Sequence, residues 1–142
     1  MRTYVMVFHQ TKWAEPQGMA PVAVLQIPPD DDVSNVDDML DIVWEKTNHI
    51  DKDWTENDVV LLTFTKHPRS SSVGDIFAVI EDEETPQAIH QRIRYFRVNR
   101  VGFEQMGGDY IVANTKESTN WGVLHYLEEA ILQWKASYNE IK

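Results

Sequence analysis

Apolar residues recur in this chain with two different periods, and the order in which those periods alternate limits the fold to a few arrangements. Residues 2–9 (RTYVMVFH) alternate as a strand does, and residues 21–27 (PVAVLQI) form a short unbroken apolar run. Strand-type runs return at 59–65, 76–80 (IFAVI), 92–99 (RIRYFRVN) and 110–114 (YIVAN). Helical spacing occurs twice. Val36, Met39, Leu40, Val43 and Trp44 fall at i, i+3, i+4, i+7 and i+8, behind Ser34 as an N-cap with Asp37 three residues on, which predicts a short acidic helix near 35–48. Leu124, Leu127, Ile131, Trp134, Tyr138 and Ile141 make a wide stripe that predicts a long C-terminal helix near 119–140, capped by Ser118 or Thr119. EPQG at 15–18 is a turn, PPDDD at 28–32 stops the second strand, EDEETPQ at 81–87 reads as a charged loop or hairpin end, and VGFEQMGGD at 101–109 turns the chain. Strands joined mostly by short turns pair antiparallel, so the expected fold is α+β: a mostly antiparallel sheet of five to six strands packed with two helices. The 142 residues suit one sizeable core and are too few for two comfortable domains, so 1–142 is read as a single domain.

Composition removes several function classes. There are no cysteines, which excludes disulfides, thiolate nucleophiles and Cys-ligated zinc. No run of 18 apolar residues exists, and the N-terminal residues alternate where a signal peptide would be continuously apolar. The expectation is a soluble protein of the cytoplasm with no membrane partner.

The net charge of −10 becomes informative once it is located. Residues 30–58 hold eleven acids against Lys46 and Lys52, so this segment carries −9 and the remainder of the chain only −1. Asp37, Asp38, Asp41 and Glu45 lie on the polar side of the predicted short helix, where the first two also complement the helix dipole. Two readings stand: a solvated face that keeps the protein soluble, or a negatively charged surface for a basic partner, such as a protein that normally handles DNA.

HPRSSSVGDIF, residues 67–77, is the stretch most suggestive of chemistry. A phosphate loop needs GxxxxGK[ST] leading into a helix, whereas here one glycine leads into a strand. A serine nucleophile needs a base and a third group that orients it; GxSxG is absent, and nothing marks His9, His49, His67, His90 or His125 as that base. Gly74 supplies permissive torsion angles and Asp75 can bond back to nearby amides, so the stretch reads first as a structural turn, with no catalytic residue assigned. A ligand contact through Arg69, Ser70, Ser72, Asp75 and Trp54 is the functional counterpart. Arg69 is suited to pair with Asp75 or with the carboxylates of 51–58, with Trp54 and Phe103 covering the loop's apolar side. Asn48 and Asn57 suit helix-end and turn positions.

RSSSVGDIF resembles the R-S-x-S-V-G-D-hydrophobic signature of small proteins encoded by bacteriophages, plasmids and related mobile elements, some described as YodL-like. TNHIDKDWTEN at 47–57 is similar to the T-N-x-I-x-x-x-W-x-E-N element that precedes the signature in phage members, and YFRVNRVGFEQM at 95–106 to their aromatic-valine strand followed by Gly-Phe. The three cover roughly residues 36–106. The resemblance implies an origin, and with it the cytoplasm of a bacterial host, but transfers no catalytic residue and no cofactor.

Two further constellations complete the reading. Arg92, Arg94, Arg97 and Arg100 surround Tyr95 and Phe96, a mixture able to stack on and neutralise a single strand of nucleic acid, but strand alternation divides it between two faces. Pairing of these arginines with the acidic helix or with Glu81–Glu84 is favoured, and direct nucleic-acid binding is disfavoured by the overall negative charge. His49, Asp51 and Asp53 match no standard metal spacing, and no metal is assigned. The preferred function is a non-enzymatic accessory protein that binds a basic or DNA-handling protein through its acidic face, with imitation of DNA charge as a special case. The alternatives are a small-molecule or nucleic-acid module, loosely like PUA and ASCH barrels, working through Arg69 and the serine turn, and a hydrolase or transferase joining Ser70 or Ser72 to a histidine.

Overall fold

A computed structural model of the chain describes residues 2–10, 18–27, 36–48, 53–84, 89–100, 102–106 and 121–141. Six strands, β1 (Arg2–Gln10), β2 (Met19–Ile27), β3 (Val60–Thr63), β4 (Ile76–Glu84), β5 (Ile89–Asn99) and β6 (Gly102–Gln105), form one sheet in the order β3-β2-β1-β4-β5-β6, and all five pairings are antiparallel. Helix α1 (Val36–Lys46) connects β2 to β3, and α2 (Trp121–Ile141) follows β6. The α+β architecture with two helices is therefore the one the periodicities predict.

Both faces of the sheet are covered, which explains why the central strands are apolar almost without a break. Tyr4, Met6 and Phe8 of β1 join Ile76, Ala78 and Ile80 of β4 in one core, closed by Leu127, Ile131 and Trp134 of α2. The intervening Val5 and Val7 join Phe77 and Val79 in a second core, closed by Met39, Leu40 and Val43 of α1 together with Trp54. The alternation of side chains along a strand thus distributes each strand between two layers of helix. On the α2 side, Lys135 pairs with the buried Asp82 and stacks its ammonium over Tyr4 and Trp134.

Two details depart from the sequence reading. The strand expected at 76–80 runs on through the acidic EDEE of 81–84 and pairs with β5 out to Glu84↔Ile89, so of the two readings of 81–87, charged loop or hairpin end, the pairing fits the second. Residues 102–105, expected to lie within a turn, form β6 against Phe96–Asn99, with Gly102 at φ +152° beginning the return. The hydrogen bonds available along β5 decide the matter, since the edge of a long strand can be satisfied by any short extended segment brought back alongside it. The strand expected at 110–114 lies outside the described residues, as do Ser34, Ser118 and Thr119 as caps.

Candidate functional site

At the end of the sheet where β1 ends and β4 begins, the stretch 67–75 folds around the carboxylate of Asp75, which is fully buried. Its Oδ1 accepts from the Gln10 backbone N–H (2.8 Å) and Arg69 Nη2 (2.8 Å); its Oδ2 accepts from the Ser72 N–H (2.7 Å) and Arg69 Nη1 (2.7 Å). Two backbone amides and a bidentate guanidinium therefore hold one carboxylate, the strong charge-assisted form of such bonds. The Asp75 N–H donates to the Ser72 carbonyl at 3.1 Å, closing a four-residue turn whose third position is Gly74 at φ +98°. A positive φ at this position defines a type II turn and accounts for the glycine. The turn is tied to β5 by Gly74 N–H to the Val98 carbonyl (2.9 Å) and Val98 N–H to the Asp75 carbonyl (2.8 Å).

Of the two pairings open to Arg69, the structure takes the one with Asp75. The same guanidinium also donates to the carbonyls of Ser70 (2.9 Å) and Gln10 (3.0 Å) and to Ser72 Oγ (3.1 Å). Trp54, buried beneath, donates its indole N–H to the Arg69 carbonyl at 2.8 Å. Arg69, Ser70, Ser72, Asp75 and Trp54 are thus brought into one cluster, with every Nη hydrogen of the arginine directed to an acceptor within the protein. Asn48 and Asn57 occupy the expected positions: Asn48 Nδ2 caps the Trp44 carbonyl (2.6 Å) and Asn57 Nδ2 the Lys46 carbonyl (3.1 Å), both at the C-terminal end of α1, and Ser71 N–H reaches the Thr47 carbonyl at 3.1 Å. Thr47, Asn48, Trp54 and Asn57, the serine turn and the strand 95–99 are one interlinked unit.

Ser71, between the two serines singled out by sequence, is the one that meets a histidine. Its Oγ lies 3.1 Å from His9 Nε2, with both residues 3% exposed, and the same nitrogen is 3.8 Å from Asp75 Oδ2. In a catalytic relay the acid orients the ring nitrogen opposite the nucleophile. Here serine and carboxylate face the same nitrogen, inside the protein, so the trio is a polar latch between β1 and the turn. Burial pushes the His9 pKa down to about 4, against the opposing pull of the Asp75 charge, so the imidazole is neutral at pH 7. Asp53 caps the short helical turn Trp54–Glu56, accepting from Thr55 N–H (2.9 Å) and Thr55 Oγ (2.6 Å), and these bonds with His67 hold its carboxyl below the ordinary range. His49 and Asp51 lie outside the described residues.

The acidic side of α1 faces solvent beside this unit. Asp37, Asp41 and Glu45 are exposed and Asp38 half-buried, while the opposite stripe of Met39, Leu40 and Val43 is buried in the core. Among the described residues no lysine, arginine or histidine pairs with Asp37, Asp41 or Glu45. Of the arginine cluster, Arg94 pairs with Glu81 at 2.8 Å with both side chains 15% exposed, which realises one of the two internal pairings considered, and its guanidinium lies 5.9 Å from the centre of the Phe96 ring. Arg100 is exposed and lines, with Asp41, Trp44, Val73, Val98 and Phe103, a groove of about 270 Å³ between α1, the serine turn and the β5–β6 hairpin.

The fold and the site define a small α+β protein with a serine turn locked on the buried Asp75 carboxylate and an acidic helix alongside. Comparison with protein-family models, curated proteins and solved structures gives no match to the chain. Among the described residues no helix is long and apolar enough to cross a membrane.

Proposed function

We propose that the chain is a non-enzymatic accessory protein, of the phage or mobile-element type its three motifs resemble, that binds a basic host or viral protein through the acidic face of α1. One observation supports this reading above the others. The carboxylates of Asp37, Asp41 and Glu45 recur every four residues along a helix whose reverse side is anchored in the core, and the described arginines do not neutralise them. A rigid row of like charges raises encounter rates with an oppositely charged surface and sets the register of docking.

Charge density distinguishes between two kinds of partner. From Asp37 to Glu45 the helix rises about 12 Å at 1.5 Å per residue, carrying four carboxylates, whereas duplex DNA carries one charge per about 1.7 Å and so roughly seven over that length. The row suits a short basic segment of a DNA-handling or other basic protein better than a site that grips a whole duplex. The alternative, uptake of a small molecule or nucleic acid by Arg69 and the serine turn, has less support, because Asp75, Ser70, Ser72 and Gln10 already occupy that guanidinium.

The test is affinity capture from a bacterial lysate at low and high salt, followed by titration of the captured protein against the triple variant Asp37→Asn/Asp41→Asn/Glu45→Gln. Loss of three exposed charge contacts, each of roughly 0.2–1 kcal/mol, should weaken binding by about 0.6–3 kcal/mol, and the wild-type affinity should fall steeply as ionic strength rises. Binding that survives both changes would refute the proposal.

A further inference from the structure

The groove beside α1 has features that the charge row alone does not require. Val73 is 55% exposed, and its backbone is held by the type II turn and by the bonds joining Gly74 and Asp75 to Val98. An apolar side chain presented to water on a backbone fixed this firmly is preorganised for contact, so little conformational entropy is lost when something covers it. The half-buried Trp44 and Phe103 and the buried Val98 line the same groove. Asp41, a member of the acidic row, forms part of one wall, and Arg100 belongs to the hairpin wall.

We infer that this groove seats one large apolar side chain, aromatic or branched aliphatic, from a basic segment of the partner, whose lysines and arginines flank that anchor and engage Asp41 and its neighbours on α1. The inference rests on the proposed function and adds to it where the partner's non-electrostatic contact falls. The size of the groove argues for a side chain: about 270 Å³ lies just below the roughly 300–1,000 Å³ typical of small-molecule pockets, and large side chains seated in pockets carry most of the energy of protein interfaces. Charge supplies the class of partner, since exposed carboxylates continue along α1 from the groove's own Asp41. Arg100 orients the segment, because it repels basic side chains from the hairpin wall and offers donors to backbone carbonyls, so the lysines and arginines must lie on the α1 side.

Labelled heptapeptides with three alternating lysines and arginines on each side of a central residue, that residue being Trp, Leu or Gly, test this directly, beside a matched set with acids in place of the basic residues. Binding is read by fluorescence anisotropy and by amide shifts in two-dimensional NMR. The Trp peptide should bind about tenfold more tightly than the Gly peptide, from burial of one large apolar side chain, with shifts concentrated at Val73, Gly102 and Phe103. Val73→Ser, at an exposed turn position and checked for an unchanged melting curve, should reduce that preference to about threefold or less while leaving Gly-peptide binding as it was. Salt-sensitive binding of every basic peptide regardless of the central residue, or a Trp preference that Val73→Ser does not alter, overturns the groove inference and leaves the acidic-face reading standing. Failure of all basic peptides to bind, or preference for the acidic set, overturns that reading and the inference with it.

Discussion

Replacing Asp75 with Asn preserves shape to within a proton and removes the negative charge on which the serine turn is built. The carboxylate is fully buried and accepts four N–H groups, two on each oxygen. Whichever way an asparagine amide is placed, its NH₂ meets one backbone N–H and one guanidinium N–H, so two donors lose their acceptor and the remaining two bond to a neutral oxygen. Removing one partner of a buried ion pair costs about 3–5 kcal/mol, and a charge-assisted bond contributes about 1.5–3 kcal/mol. Arg69 is 44% exposed and can recover hydration, so the lower end applies, about 3 kcal/mol. Urea unfolding followed by tryptophan fluorescence and far-ultraviolet circular dichroism measures this; with a slope of about 2 kcal/mol/M the midpoint should fall by about 1.5 M. Adding Arg69→Met should cost little more, because the guanidinium has already lost its carboxylate, giving a coupling energy of about 1.5 kcal/mol or more. A loss below about 1 kcal/mol, or single-variant effects that simply add, would show that Asp75 does not organise the turn.

Two further outcomes follow from the same geometry. His9 is held neutral with a pKa near 4, below the 6.5 of an unfolded histidine, so the unfolded chain binds the extra proton. Its contribution to stability is therefore complete above about pH 6.5 and is lost as pH falls toward 4, by at most about 3 kcal/mol, and His9→Gln should flatten that part of a midpoint-against-pH curve; an unchanged slope in the variant would assign the dependence elsewhere. On α1, Leu40→Ala should cost about 2–5 kcal/mol because the side chain is fully buried, whereas Asp41→Asn should change stability by about 0.5 kcal/mol or less; comparable losses in thermal melts would mean that the acidic face has a structural duty after all.

What the chain's sequence determines by itself is the material of each element and the direction it must face. The alternation in RTYVMVFH and the unbroken PVAVLQI called for strands, and the i, i+3, i+4 stripes of the two helices for packing against them; that one helix closes each face, making two separate cores, is decided by the tertiary structure. The acids at 37, 41 and 45 could be placed opposite Leu40 and Val43 by helical spacing alone. Gly74 and Asp75 were legible as turn chemistry because positive φ and side-chain bonding to nearby amides are local properties.

Contacts across long sequence separation were not legible in this way. Alternation does place His9 on the face of Val5 and Val7, but no local signal ties it to Ser71, 62 residues away, in preference to the serines on either side. Nor does the sequence alone decide between Asp75 and the carboxylates of 51–58 as the partner of Arg69; the choice follows from which acid the sheet buries and therefore must be paired. The strand Gly102–Gln105 forms because the long β5 offers it an edge, against the turn that its own residues suggest. The groove exists only because α1, the locked turn and the hairpin converge on one end of the sheet. Local propensity and periodicity act over a few residues, while pairing partners and cavities are set by what the closed sheet brings within a few ångströms, and that proximity is a property of the tertiary structure alone.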